Sequence, residues 1–393
     1  MGRLIRKLPL SDLIARREWL KLCVVLGIAG LVALLPLILG FDSRIVNVTL
    51  FVAIYAILAL GLNVVVGYVG LLDLGYVTFL ATGAILSMDL LLLTSSDTGW
   101  VVPVGTTEVV TGAHPFAADG AVFLIIAIAG LVCALLGVLR GIPTLKLTGD
   151  YYAIVTLGIA EIVYLVYLNT QWLTGGAYGI KLRGEHLPRL FGARLYYDTW
   201  QFYYLVMVGL LVTIVILDRL NHSRIGRAWA AIRLDETAAR ACGVNVSRYK
   251  MIAFAVSGFF GGVGGALFAI WIGTVAVKAL DVWQSILILC AVVLGGMGSI
   301  RGVLLGSVIL FSLRELLREQ LTIGDLSLRV PPEASFLVYG LLLVFIMRFR
   351  PQGVLPSTAT ESHAVGADQE EALRGKQAQL YVLQELVEDH DGA

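Results

Sequence analysis

The sequence predicts an all-α polytopic membrane protein of about ten transmembrane helices. Two observations predict it, and a third bounds its partners. Of the 393 residues, 58% are hydrophobic and only 15% charged, against about 25% charged residues in soluble domains. Apolar runs of about 18 residues or more recur from Leu20 to Met347, each long enough to cross a hydrocarbon core roughly 30 Å thick as a helix. The 29 basic and 28 acidic residues nearly cancel, to a net +1, so no global field argues for nucleic acid or another polyanion as partner.

The chain opens on Arg3, Arg6, Lys7, Arg16 and Arg17, followed by an apolar stretch from Leu20 to Leu39. That stretch is too long for the apolar region of a secretory signal. The Gly40-Phe41-Asp42-Ser43 after it offers no small-x-small cleavage site, so it reads as the first retained span. Further spans are expected over 45–66, 76–93, 121–138, 151–168, 202–217, 251–272, 283–297, 303–317 and 336–347. An even number of spans puts both termini on one side. Lys and Arg concentrate in the segments facing that side, which the positive-inside rule makes cytoplasmic. The chain thus divides into a basic N-terminus 1–19, a transmembrane domain 20–348 carrying an internal loop 218–250, and a tail 349–393. The outer loops 94–120 and 169–200 are too short for an independent receptor domain. Beyond Pro356 the tail is acidic, and Leu373, Leu380, Leu383 and Val387 are spaced as one short amphipathic helix. Cys23, Cys133, Cys242 and Cys290 lie far apart with no CxxC pair, which argues against a disulfide framework or a metal site.

Within the spans, Glu161 is the least comfortable residue. A lone carboxylate in hydrocarbon costs about 2.5 kcal/mol or more, so Glu161 must face protein or water, either bonded to a neighbouring helix or lining a pathway. Gly67, Gly70 and Gly75 bracket Asp73 and precede Thr78. The stretch 67–75 reads either as a turn between spans or as a break in the membrane exposing backbone groups to a small zwitterion. Asp73, Asp89 and Asp281 stand near span ends or Gly-rich breaks and are expected where headgroup water reaches them. Gly258, Gly261, Gly262 and Gly265 repeat a G-x-x-x-G spacing that lets helices approach closely, as do Gly298, Gly302 and Gly306. A faint internal repeat relates Val66-Gly67-Tyr68-Val69-Gly70 to Leu294-Gly295-Gly296-Met297-Gly298, and an interface between such repeats is where a pathway would be sought.

The most informative segment runs from Gly226 to Gly243. It is rich in Ala and Arg with no internal Pro or Gly, which predicts one helix of about four turns closed by Gly243 in a left-handed C-cap. Trp229, Ile232, Glu236 and Ala239 fall on one side as a docking face, while Arg227 and its fellow arginines stay solvated. Such a helix either lies at the lipid headgroups or serves as a lever received by a motor subunit.

The pattern Glu236-x-Ala238-Ala239-x-x-x-Gly243 is similar to the EAA loop of ABC importer permeases. Its flanks strengthen the likeness: Gly149-Asp150-Tyr151-Tyr152-Ala153-Ile154-Val155-Thr156-Leu157-Gly158 with Glu161-Ile162, then Thr174-Gly175-Gly176 with Gly179-Ile180, then Leu294-Gly295-Gly296-Met297-Gly298-Ser299, and Phe349-Arg350-Pro351-Gln352-Gly353. Together, across roughly residues 45–355, these resemble the LivM-type permeases of branched-chain amino acid importers. The sequence departs from that pattern at an extra residue after Glu236, at Asp73, and at Ala177-Tyr178. The resemblance implies an ABC importer permease architecture in a cell inner membrane. It also implies a homologous second permease, two ABC ATPase subunits and an extracytoplasmic amino-acid-binding protein as partners. In those terms Arg227, Trp229, Ile232, Glu236, Ala238, Ala239 and Gly243 would couple to the ATPase. Gly67, Gly70, Asp73, Gly75, Thr78 and Glu161 would lie on the substrate pathway, and Thr174, Gly175 and Gly176 at the outer mouth. The chain holds no G-x-x-x-x-G-K-[ST] phosphate loop, so ATP is expected on partner subunits and no cofactor on this chain. Other readings are the same machine carrying urea, amides or polar neutral amino acids, and an ion-coupled transporter with Glu161 as its coupling residue. A membrane enzyme finds no support in the five histidines, which include no HExxH pattern.

Overall fold

A computed structural model describes residues 44–93, 120–145, 147, 149–176, 179–181, 189–190, 193–194, 200–318, 321–323, 326–328, 337, 339–341, 344–345, 348–350 and 353–355. The expected span 20–39, the outer loop 94–119 and the tail beyond Leu355, with its amphipathic repeat, lie outside the described residues. The span expected over 336–347 is described only in part.

The helices are α1 (Arg44–Asn63), α2 (Val77–Leu93), α3 (Ala121–Thr144), α4 (Asp150–Asn169), the short α5 (Gln171–Thr174), α6 (Trp200–Asn221), α7 (Arg224–Leu234), α8 (Glu236–Ala241), α9 (Val246–Ile272), α10 (Val282–Gly295) and α11 (Ile300–Arg318). Short strands β1 (Ile180–Lys181), β2 (Arg189–Leu190), β3 (Ala193–Arg194), β4 (Thr274–Val275), β5 (Leu321–Ile323) and β6 (Leu326–Leu328) pair antiparallel as β1 with β4, β2 with β3 and β5 with β6. Among the described residues, six helices are long and apolar enough to cross a membrane: 44–69, 121–144, 151–169, 200–221, 246–272 and 277–295. This is a multi-pass membrane protein. The expected count of about ten spans is met only in part. Residues 77–92 form a shorter apolar helix, and α11 carries Arg301, Arg314, Glu315 and Arg318.

At the centre stands α1. It is apolar on every side, and from Leu50 onward every residue is buried, as a helix without a polar face must be. Around it pack α6, α9, α10 and α11. On the far side of α9, the small-residue stripe lets backbones meet. A Cβ on Gly258 would collide with the Cys133 carbonyl of α3, and one on Gly265 with the Leu80 carbonyl of α2. This is the close approach that G-x-x-x-G spacing permits. Arg314 on α11 is placed by an aromatic cluster: its guanidinium lies 5.4 Å from the Phe51 ring and 5.8 Å from the Tyr55 ring, and it donates to Gln284 Oε1 at 3.4 Å. Cation–π contact and one polar partner offset the cost of its burial.

The stretch 67–75 is both a turn and a break. After Asn63 the helix continues as a π-helical segment, Val64–Val69, until Gly70 at φ 84° ends it. The chain then runs back without helical structure as far as Tyr76, and α2 begins only at Val77, inside the bundle. The Val77 amide is satisfied there by Ser285 Oγ of α10 at 2.7 Å, which serves the first turn of a helix that starts away from water.

Candidate coupling and translocation sites

The loop between α6 and α9 is a helix pair rather than the single helix its composition predicts. Asp235 adopts an extended conformation and ends α7. Its carboxylate accepts from the Thr237 and Ala238 amides at 2.7 and 3.0 Å and so starts α8. An Asp there offers the backbone an N-cap, which competes with helix continuation. Ser223 caps α7 in the same way, accepting from Ile225 at 3.1 Å. Gly243, at φ 82°, takes the left-handed conformation expected of it. Val244 donates to Ala239 at 3.0 Å and Gly243 to Arg240 at 2.9 Å, the paired bonds of a Schellman ending.

The expected docking face also needs correction. Trp229, Ile232 and Ala239 do lie on one side, but all three are buried within this chain, so they hold the loop onto the bundle rather than present it. The Trp229 ring stacks on Tyr68 at the end of α1, 6.1 Å between centroids, and its indole N–H donates to the Tyr249 carbonyl at 2.9 Å. Glu236 accepts from Lys250 of α9 at 2.7 Å and from Arg240 at 2.5 Å. Lys250 is buried, so this carboxylate is what makes its charge tolerable. Arg233 donates to the Gly67 carbonyl of the π-helical segment at 2.5 Å, and partial burial draws its pKa below the usual arginine value. The surface left outward includes Arg227, Ala230, Leu234, Ala238, Arg240 and Gly243.

The same network continues into the two glycine-rich motifs. Asn63 Oδ1, one helical turn before Gly67, accepts from the Gly298 amide at 2.9 Å. Gly67 lies so close to that amide that a Cβ would strike it. The two G-x-x-G steps that look alike in sequence therefore pack on one another. Gly353 in turn rests on Gly295 and Gly296, while Val354 and Leu355 donate to Leu294 and Gly295 at 2.9 and 3.0 Å.

Asp73 is not where headgroup water reaches it. It is completely buried and paired with Arg140 of α3. One oxygen accepts from the Gly75 amide at 2.9 Å, while Arg140 also donates to the Gly75 carbonyl at 2.9 Å and covers the Phe79 ring at 4.4 Å. The carboxylate and the backbone groups around it are thus spoken for, which removes Gly67, Asp73 and Gly75 as free contacts for a zwitterion. They brace the non-helical stretch instead. Gly70 is exposed beside Arg233. Thr78 differs, since its hydroxyl is buried without a hydrogen-bond partner.

Glu161 is exposed on α4, among the exposed apolar side chains Ile154, Ile162, Leu165 and Val166. At the end of that helix, Thr174 is buried, its hydroxyl donating to the Tyr167 carbonyl at 2.6 Å and accepting from the Gly176 amide at 3.0 Å. Gly175 and Gly176 have φ 66° and 60° and turn the chain into β1, whose Ile180 lies opposite Val275 of β4. The Thr-Gly-Gly motif therefore fixes a turn, and the pairing it leads into draws 274–281 against α4. Sequence reasoning did not find Arg140, Lys250, Arg233 or Asn63. Asn63 and Arg140 are each a lone polar residue in an apolar run, a signal that marks them for a specific partner; Arg233 and Lys250 stand among other charged residues and carry no such signal.

The described residues hold no group of three or more His, Cys, Asp or Glu side chains placed to bind a metal ion. A family profile described as branched-chain amino acid transport system / permease component matches residues 44–347. The high-affinity branched-chain amino acid transport system permease protein LivM of Escherichia coli is 37% identical over 84% of this chain and 75% of its own length. The probable LivM of Methanocaldococcus jannaschii is 26% identical over 79% of this chain and 92% of its own, and the E. coli permease LivH 23% identical over 81% and 96%. No solved structure matches. With a family match that spans the bundle from α1 past α11, and a 37% identical relative covered over 75% of its length, this chain belongs to the permease components of branched-chain amino acid transport systems.

Proposed function

We infer that this chain is one transmembrane permease subunit of an ATP-driven importer of branched-chain or other apolar amino acids. In this reading about ten spans leave both termini and the loop 218–250 on the cytoplasmic side of a cell inner membrane, with 1–19, 20–348 and 349–393 as N-terminus, transport domain and tail. Its similarity to both LivM and LivH supports a homologous second permease beside it. Two ABC ATPases, which bind the ATP, and an external amino-acid-binding protein complete the machine. This chain does no chemistry of its own.

One observation carries the reading: the α7–α8 pair is tied to the bundle by specific contacts and still leaves exposed residues on its outer side. Trp229 and Arg233 fix it to the π-helical segment that extends α1, Glu236 to α9, and Arg227, Ala230, Leu234, Ala238 and Gly243 face outward. A displacement of that surface by a motor is therefore passed to α9 and, through the π-helical segment, to the central α1, which is what switching between outward and inward access requires. The test is cysteine cross-linking in the assembled transporter. Leu234→Cys, on the exposed surface, should cross-link to an ATPase subunit in a nucleotide-dependent manner, and Trp229→Cys, buried, should not. Failure of every outward position to cross-link would refute the coupling role.

A further inference from the structure

Glu161 sits about halfway along a transmembrane helix and is exposed on the isolated chain, so in the assembled protein it faces a partner surface or water rather than lipid. A second carboxylate lies on an element packed against that helix. Asp281, at the N-terminus of α10, is partly buried; α10 and the 277–279 segment both contact α4, and Leu280 and Ala160, the chain neighbours of Asp281 and Glu161, line one recess. Among the described residues, neither forms an ion pair with a basic side chain. Two carboxylates on packed elements with no basic partner leave a place for a cation.

Beside them is a recess between α2, α4 and the 277–281 segment. Its walls are Val77, Ala81, Ala160, Val163 and Leu280, together with Thr78 and two tyrosines of α4. The walls are apolar except for hydroxyls, and the Thr78 hydroxyl, on a residue only 6% exposed, has no partner. An unpartnered buried hydroxyl costs free energy unless something else uses it. In this state the recess closes to about 10 Å³, the room of roughly one water, so a branched side chain would enter only as α2 and α4 part. Those are the elements best placed to part, because α2 starts inside the bundle at a non-helical stretch, and α4 has few buried residues.

We propose that this juxtaposition is the amino-acid subsite of the permease: Glu161 and Asp281 receive the α-ammonium, Thr78 hydrogen-bonds the substrate's polar end, and the recess takes the aliphatic side chain. The proposal rests on the importer reading above and adds to it the residues that recognise the cargo. Its selectivity follows from its chemistry. An amide such as urea has no ammonium for the carboxylates and no aliphatic group for the recess.

The test uses the complete transporter in proteoliposomes, with uptake and receptor-stimulated ATP hydrolysis measured together. Glu161→Gln with Asp281→Asn should lower leucine uptake about tenfold or more, the scale of a lost charge-assisted contact, while hydrolysis stimulated by leucine-loaded binding protein persists. Glu161→Asp should retain most uptake. Ala160→Leu, which fills the recess, should reduce leucine uptake more than alanine uptake. Unchanged uptake in the double variant overturns the proposal, as does an equal loss of uptake and stimulated hydrolysis in both the double and the conservative variants, which would mark a purely structural role. An absence of leucine uptake and of stimulated hydrolysis in the unaltered transporter is a separate result, and it refutes the importer reading itself.

Discussion

Replacing Glu236 by Gln keeps the shape of the coupling loop and removes the charge that pins it to α9. Lys250 has a side chain only 2% exposed and reaches Glu236 at 2.7 Å. A hydrogen bond between charged groups contributes about 1.5–3 kcal/mol. Glu236 keeps 23% of its side chain exposed, so water takes up part of the loss and about 2 kcal/mol remains. That corresponds to a roughly thirtyfold shift toward the undocked loop. Amide hydrogen exchange on the purified transporter reads this directly: protection should fall across 236–250 and stay unchanged in α3. Transport per ATP hydrolysed should fall in the same variant. Because the penalty lies in stranding Lys250, Glu236→Gln combined with Lys250→Met should be less disturbed than the sum of the two single changes. Unaltered exchange over 236–250 in Glu236→Gln would refute the anchoring role of the pair.

Other outcomes follow from the same geometry. Gly243→Ala meets open space at its Cβ and so should cost only the left-handed backbone, about 1–2 kcal/mol, seen as a modest drop in thermal stability. Gly243→Pro cannot adopt φ 82° and also removes the amide bonded to Arg240, so with Glu236→Arg it should separate ATP hydrolysis from uptake. Arg140→Met leaves the Asp73 carboxylate buried without its partner and should destabilise the fold by about 3–5 kcal/mol, measured by denaturant unfolding in detergent. Asp73→Leu with Arg140→Met should be milder than that single change. Gly262→Leu drives a side chain into the Ala129 carbonyl and should reduce folded yield on size exclusion, whereas Gly158→Ala, with nothing within 4 Å of its Cβ, should not.

The helices could be read from the sequence because apolar runs of membrane length leave little alternative; α1, α3, α4, α6 and α9 fall where their runs lie. The loop 226–243 shows why finer detail could not. Its composition favours one helix, and the break at Asp235 comes from a local N-cap that competes with continuation. Its amphipathic pattern identifies Trp229, Ile232 and Ala239 as an apolar face, but periodicity cannot say whether such a face meets a partner or the chain's own bundle. Asp73 was expected near water because its partner, Arg140, lies 67 positions away, and long-range ion pairs leave no local signature. Gly67 and Gly298 were visible as similar steps; that they touch depends on Asn63 and on the π-helical end of α1. Glu161 was marked by its cost in hydrocarbon, but that α10 and the 277–279 segment pack against its helix became visible only in the fold.

The most direct measurement is ATP hydrolysis in proteoliposomes that hold this chain co-expressed with its homologous permease and two ABC ATPases, with the binding protein added in turn with leucine, alanine or urea. Stimulation by the leucine-loaded protein, accompanied by leucine uptake and absent with urea, is the predicted result. Failure of any ATPase to associate with the chain, or uptake that follows a proton gradient and vanishes in Glu161→Gln, would contradict the coupling of α7 and α8 to an ATP-driven motor.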